Sequence, residues 1–270
     1  MKKSNNQFSQ NHYNFIKKIK KENGLIVFCR YALLFLIIAL WELFAKIGIV
    51  DEFISSSPSK IFVTIKDLVV ENNLFYHIGI TLYETILGFI IASVLGYVIA
   101  LLLWLSERAR RILEPYIVVL NSLPKIALGP IIIVWFGSGT KSIIFMAVLI
   151  GIIVAIISML NGFLATDKEK ILLLQSMGAN KFQILTKLII PGSLPTLISM
   201  LKINVGMAWI GSIMGEYLVS RAGLGYLIVY GGQVFKLDLV MASTIILCVL
   251  ATLMYSFVAM LEKIIIKQRQ

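Results

Sequence analysis

The sequence predicts an all-α polytopic membrane protein with about six transmembrane helices. Three observations carry that reading. Of 270 residues, 59% are hydrophobic and only 14% charged, and mean hydropathy is +0.89; a soluble domain carries about 25% charged residues. A helix needs about 20 apolar residues to cross a hydrocarbon core of about 30 Å. Six runs qualify: 26–49, 78–105, 116–136, 142–165, 194–219 and 239–264. Finally, Lys and Arg gather in alternate connections between the runs, as the positive-inside rule expects.

Taken in order, residues 1–25 read as a basic cytoplasmic tail ahead of a transmembrane domain over 26–266. The tail lacks the early apolar core and small-residue cleavage site of a secretory signal. It is expected to be retained, either mobile or resting on the anionic inner leaflet. The segment 50–77 lies outside, with a turn at Ser55–Pro58 and Ser59 as the expected cap of a short amphipathic helix to about Val70. Span three, YIVVLNSLPKIALGPIIIVWF, is the least regular. Pro124 and Pro130 interrupt its ladder around Lys125, and non-helical backbone at that depth needs protein or water beside it.

The stretch 166–195, TDKEKILLLQSMGANKFQILTKLIIPGSLP, is too charged and too broken to span. Thr166 followed by Glu169 fits a capping box that starts a helix to about Met177. Gly178 permits a turn that a Cβ resists, and a second helix follows from about Asn180 to Ile190. Phe182, Leu185, Leu188 and Ile189 share its apolar face, and Pro191 and Pro195 break the ladder before span five. The pattern describes a rigid bracket between spans four and five, suited to docking on a soluble partner. An amphipathic helix lying on the membrane surface fits the same spacing.

The basic clusters beside Lys2, Arg108, Lys168 and Lys263 put both termini and this bracket on the cytoplasmic side. The net charge of +11 therefore reads as orientation, not as a nucleic-acid footprint. Cys29 and Cys248 fall in apolar runs, as packing residues do. His12 and His77 are the only histidines, which argues against a His-based metal or catalytic cluster and against an intramembrane enzyme. GSGTKS at 137–142 is superficially like a phosphate-binding loop. That loop needs Gly immediately before Lys and a glycine five positions earlier. Here Thr140 intervenes, and Val134 stands near where the first glycine belongs.

Intramembrane polar groups are costly and so mark candidate function. In span five Asn204, Ala208, Ser212 and Glu216 recur every four residues, beside Gly211 and Gly215. This stripe is read as lining a pathway or facing a second subunit, with close helix packing through small residues as the alternative. Trp209 fits a hydrophobic gate or a packed side chain. Glu84 and Lys125 are candidate pathway groups within reach of each other, although Lys125 can also snorkel, as Lys202 is expected to.

Several motifs carry a resemblance. Gly178, followed thirteen residues later by Pro191 in IIPGSLP, resembles the "EAA" coupling loop of ABC importer permeases. SLPKIALGPIIIVWFGSGTKS (122–142) resembles a segment of the nitrate/sulfonate/taurine permease family. FISSSPSKIF (53–62), TLYETILGFIIASVLGYVIALLLWLS (81–106), MAWIGSIMGEYL (207–218) and AGLGYLI (222–228) are similar to it in the same order.

The resemblance implies a type I ABC transporter transmembrane domain over 26–266, in the cytoplasmic membrane. It implies a homodimer in the lipid bilayer, ATPase subunits docked on the coupling loops, and an extracytoplasmic solute-binding protein. It also implies no cofactor and no ATP hydrolysis on this chain. The coupling loop carried over is Glu169, Leu172, Gly178, Ala179, Phe182, Leu185, Pro191 and Pro195. One position departs: the family's glutamate six residues before the loop glycine is Leu172 here, followed by Leu173 and Leu174. Either the contact is apolar or Glu169 substitutes from one turn earlier. The expected substrate is a sulfonate-, taurine- or nitrate-like anion. A thiamine-precursor pyrimidine, riboflavin-like compound or bicarbonate is the alternative within the importer type. An ATP-independent secondary transporter, with Glu84 as coupling carboxylate, is the alternative of another class, but it is often built on internal repeats and none is evident.

Overall fold

The computed structural model describes residues 2–49, 56–70 and 73–267. The described residues are helical with short connections, and they form two compact units, one to Thr64 and one from Ile65.

The first unit holds α1 (Lys2–Ile47) and the start of α2 (Pro58–Val70). Helix α1 runs through residue 25 unbroken, and its stretch Lys17–Ile47 is apolar enough to cross a membrane. The Glu42 carboxylate accepts hydrogen bonds from the Ser59 amide at 3.1 Å and hydroxyl at 2.7 Å, and pairs with Lys46 at 3.0 Å. Ser59 is therefore not the cap of α2. Ser57 accepts from the Lys60 amide instead, at 3.4 Å, and Pro58 takes the first helical position, where its missing N–H costs nothing. Of the expected turn, Ser55 lies outside the described residues, while Ser56 has φ of 56°.

The second unit is built on α3 (Leu74–Leu105), α4 (Glu107–Ser122), α5 (Gly129–Phe136) and α6 (Thr140–Leu164), followed by α7 (Lys168–Ser176) and α8 (Lys181–Ile184). The chain then forms α9 (Leu194–Val219), α10 (Leu224–Gln233) and α11 (Leu237–Lys267). Five helices among the described residues are long and apolar enough to span, and a sixth span exists only if a bent pair is counted. That pair falls on the run 116–136, whose ladder the prolines were expected to interrupt. α4 and the segment Lys125–Phe136 meet at 87°. Leu123 is extended, at φ −67° and ψ 138°, the region to which a following proline confines it.

Helix α6 is the centre, held between α3 and α9 by small residues. An added Cβ at Gly96 would stand 2.4 Å from the Ala155 Cβ, and one at Gly211 would stand 2.4 Å from the Ala147 Cα. Close backbone approach through small residues is how helices associate where lipid removes the hydrophobic drive.

Candidate functional site

The bracket forms as two short helices joined at a corner, with local corrections. Its first helix is capped by Asp167, which accepts from the Glu169 amide at 2.9 Å, and not by Thr166. A capping box starts the second helix. Asn180 and Gln183 exchange side-chain and backbone bonds of 2.8 Å each. Gly178 has φ of 82°, and the Gly178 and Ala179 amides donate to the carbonyls of Gln175 and Leu174 at 2.9 Å. Beyond α8 the turns widen into a π segment, Leu185–Ile189, where the Ile190 amide reaches back to the Leu185 carbonyl. Pro191 and Pro195 sit in the first turns of the two helical segments that follow, where no N–H is needed.

The apolar face differs from the expected one. Ile184, Leu185 and Ile189 are buried and Leu188 is half-buried, while Phe182 is 66% exposed. The π segment packs one more residue into its turn, and Phe182 stands in the first turn, outside the core. Leu185 thus packs inward. It joins Ile184 and Ile189 in one core with Leu103 of α3, Phe163 of α6 and Met200 of α9. What the bracket turns outward is Leu172, Leu173, Met177 and Phe182, all exposed, with Glu169 exposed in the first turn of α7 and Ala179 half-buried. A set of exposed large apolar side chains on a rigid support is the mark of an interaction surface.

At the opposite end of α9 the polar stripe finds a different use. Asn204, Ala208, Ser212 and Glu216 are each no more than 1% exposed. Asn204 donates to Ser93 at 2.8 Å, and Ser212 bonds Thr85 at 2.6 Å, both on α3. In this conformation the stripe lines no open surface, because the small residues that flank it let α3 and α6 close over it. Trp209 is packed with Val205 and Val258.

Glu216 accepts from the Gly225 amide at 2.6 Å, in the first turn of α10. The two preceding amides go to α3: Gly223 to His77 Nδ1 at 3.0 Å and Leu224 to Thr81 Oγ1 at 2.8 Å. Three successive N–H groups at a helix start are thus taken up by side chains, which offsets the unsatisfied donors there. Gly223, at φ 112°, leaves room for this, since an added Cβ would lie 2.4 Å from the Glu216 carboxylate. Glu216→Ala is expected to destabilise the protein by about 2 kcal/mol, the cost of leaving the buried Gly225 amide without its acceptor. Glu216→Gln, which keeps an acceptor, should lose less. Thermal unfolding in detergent distinguishes them, and equal midpoints for both variants and wild type would remove the clamp.

Glu84 is 1% exposed, lies beside Glu216 and Thr140, and borders a cavity of about 360 Å³ that Ser138 and Arg221 also line. Lys125 is half-buried and, among the described residues, forms no ion pair with Glu84. Lys202 does not snorkel freely. It pairs with Glu262 of α11, a partner 60 positions away that no spacing rule could point to.

Comparison with known proteins places these features. Residues 52–267 match the family described as "Binding-protein-dependent transport system inner membrane component". A putative aliphatic sulfonates transport permease of Bacillus subtilis (strain 168) is 31% identical over 233 residues, covering 86% of this chain and 84% of that protein. A formylaminopyrimidine transport permease of Halalkalibacterium halodurans is 32% identical over 235 residues, covering 87% and 93%. The taurine transport permease of Escherichia coli (strain K12) is 29% identical over 181 residues, covering 67% and 66%. Among solved structures, an inward-facing methionine ABC transporter matches with a TM-score of 0.63 at 20% identity, covering 71% of this chain and 96% of that chain. A bacterial alginate importer matches at 0.63 and 15% identity, covering 86% and 94%. At those identities the two structures speak for the fold alone.

Proposed function

This chain belongs to the family of inner-membrane components of binding-protein-dependent transport systems, and on that premise we propose that it carries a small sulfonate-class anion. It is a multi-pass permease subunit of an ABC importer, and its family works with ATPase and solute-binding partners. Our reading adds that two copies form the pathway, that both termini and the bracket face the cytoplasm, and that ATP is hydrolysed on the partner alone, with no cofactor on this chain.

The observation that supports docking is the bracket itself. The corner at Gly178 presents Leu172, Leu173, Met177 and Phe182 outward, while Ile184, Leu185 and Ile189 tie it to α3, α6 and α9. A push on the tip is passed to the bundle through packed side chains, because such cores are close to incompressible. With Leu172 where the family has glutamate, the ATPase contact is apolar at this point. Glu169, Ala179, Pro191 and Pro195 frame it.

The sulfonate reading draws on the aliphatic sulfonate and taurine relatives. The formylaminopyrimidine relative, at 32% identity over 87% of the chain, favours a second reading, a thiamine-precursor pyrimidine through the same importer. The test is ATP hydrolysis by the permease with its ATPase in proteoliposomes, with binding protein loaded with an alkanesulfonate, taurine or a formylaminopyrimidine. Stimulation by the sulfonate-loaded protein is expected. Stimulation by the pyrimidine-loaded protein alone would overturn the anion in favour of the second reading.

A further inference from the structure

The break between α4 and α5 lies where lipid cannot face it. α4 starts among the charges Glu107, Arg108, Arg110 and Arg111, which mark one membrane interface. Sixteen residues at about 1.5 Å each bring Ser122 about 24 Å along the axis, still inside a core of about 30 Å. There Pro124 has no N–H to return to the Leu120 carbonyl, and the ladder stops. Irregular backbone at such depth is tolerated only against protein or beside water. Among the described residues of the second unit none covers it: Asn121, Ser122, Leu123, Pro124 and Ile126 are exposed and Lys125 is half-buried.

The side chains favour water over a second protein surface. Between Val118 and Ile133 every residue except Asn121, Ser122 and Lys125 is apolar, glycine or proline, and these three sit together at the break. Sealing them against a partner would leave an amide, a hydroxyl and an ammonium to be satisfied in a dry interface, at a cost. Ser122 meets part of its need by donating to the Val118 carbonyl at 3.1 Å. The stripe on α9 does not compete for the role, since it is closed over by α3 and α6.

We propose that the broken segment lines the water-filled translocation pathway, with Asn121 and Ser122 as its polar wall and Lys125 as the charge that a transported anion meets. The wall follows from the backbone break and the exposure; the role of Lys125 rests on the sulfonate reading above.

The test uses the assembled transporter, with Cys29 and Cys248, both exposed, replaced by serine. Single cysteines go in at Asn121, Ser122 and Lys125, with Ser138 in an exposed connection and Leu253 on the apolar face of α11 as controls. A charged, membrane-impermeant methanethiosulfonate is applied to nucleotide-free and vanadate-trapped transporter in inside-out and right-side-out vesicles. Cysteines at 121, 122 and 125 are expected to react in at least one state, as that at 138 does, while that at 253 stays unmodified. Silence at 121 and 122 with reaction at 138 would overturn the wall, because the break would then be sealed. For the charge, Lys125→Gln should raise the KM for the sulfonate at least tenfold and Lys125→Arg should restore it. An unchanged KM in Lys125→Gln beside reactive cysteines would overturn the role of Lys125 and leave the wall standing.

Discussion

Gly178→Val is expected to cut coupled transport by a factor of about 5–30 while leaving the permease folded in the membrane. The glycine holds φ of 82°, and an added Cβ there would meet nothing within 4 Å. The penalty is therefore backbone strain alone. A left-handed residue with a Cβ costs about 1–2 kcal/mol, and a β-branched one is a genuine outlier there. Relief of that strain means losing the corner bonds from the Gly178 and Ala179 amides to Gln175 and Leu174, which turns Leu172, Met177 and Phe182 away from their common surface. A deficit of this size lowers the docking-competent population by a factor of about 5–30. Binding-protein-stimulated ATP hydrolysis and uptake should fall accordingly, with membrane level and unfolding midpoint close to wild type. Gly178→Asn is the companion, since asparagine tolerates this region, and it should keep most activity. Wild-type coupling in the valine variant would refute the bracket as the transmitting element.

Gly211→Val acts through packing and should be the larger loss of stability. Its Cβ would lie 2.4 Å from the Ala147 Cα and 2.9 Å from the Ala147 N. Both are backbone atoms of the central helix, so no side chain can swing aside. Overpacking costs about 1–3 kcal/mol, occasionally more, and here α6 and α9 must separate, which also pulls apart the Thr85–Ser212 and Ser93–Asn204 bonds. Little folded protein should survive extraction in detergent. Gly206 stands on the same helix with nothing within 4 Å of an added Cβ. Gly206→Ala should thus be neutral or slightly stabilising, as alanine is the better helix former. Similar unfolding midpoints for Gly211→Val and Gly206→Ala would mean that α6 and α9 do not pack as described.

Much of this protein follows from its sequence alone. The apolar runs at 78–105, 142–165, 194–219 and 239–264 reappear as α3, α6, α9 and α11, because length and hydrophobicity are local properties and a membrane admits few other structures for such runs. The corner at Gly178 and the end of α2 at Val70 were legible for the same reason, since a turn or a helix end is decided within a few residues. Tertiary structure decided what each face meets. The spacing of Asn204, Ala208, Ser212 and Glu216 identified one side of α9, but only the approach of α3 and α6 made that side interior. Whether Glu216 is a pathway carboxylate or the clamp on α10 depends on Gly225, reached across a turn whose course periodicity does not define. Lys202 found Glu262, and Ile184 took the buried place expected for Phe182, through contacts between helices distant in the chain. Periodicity says which residues share a side of a helix; which side is dry, and which polar group answers another, is set by close packing between helices.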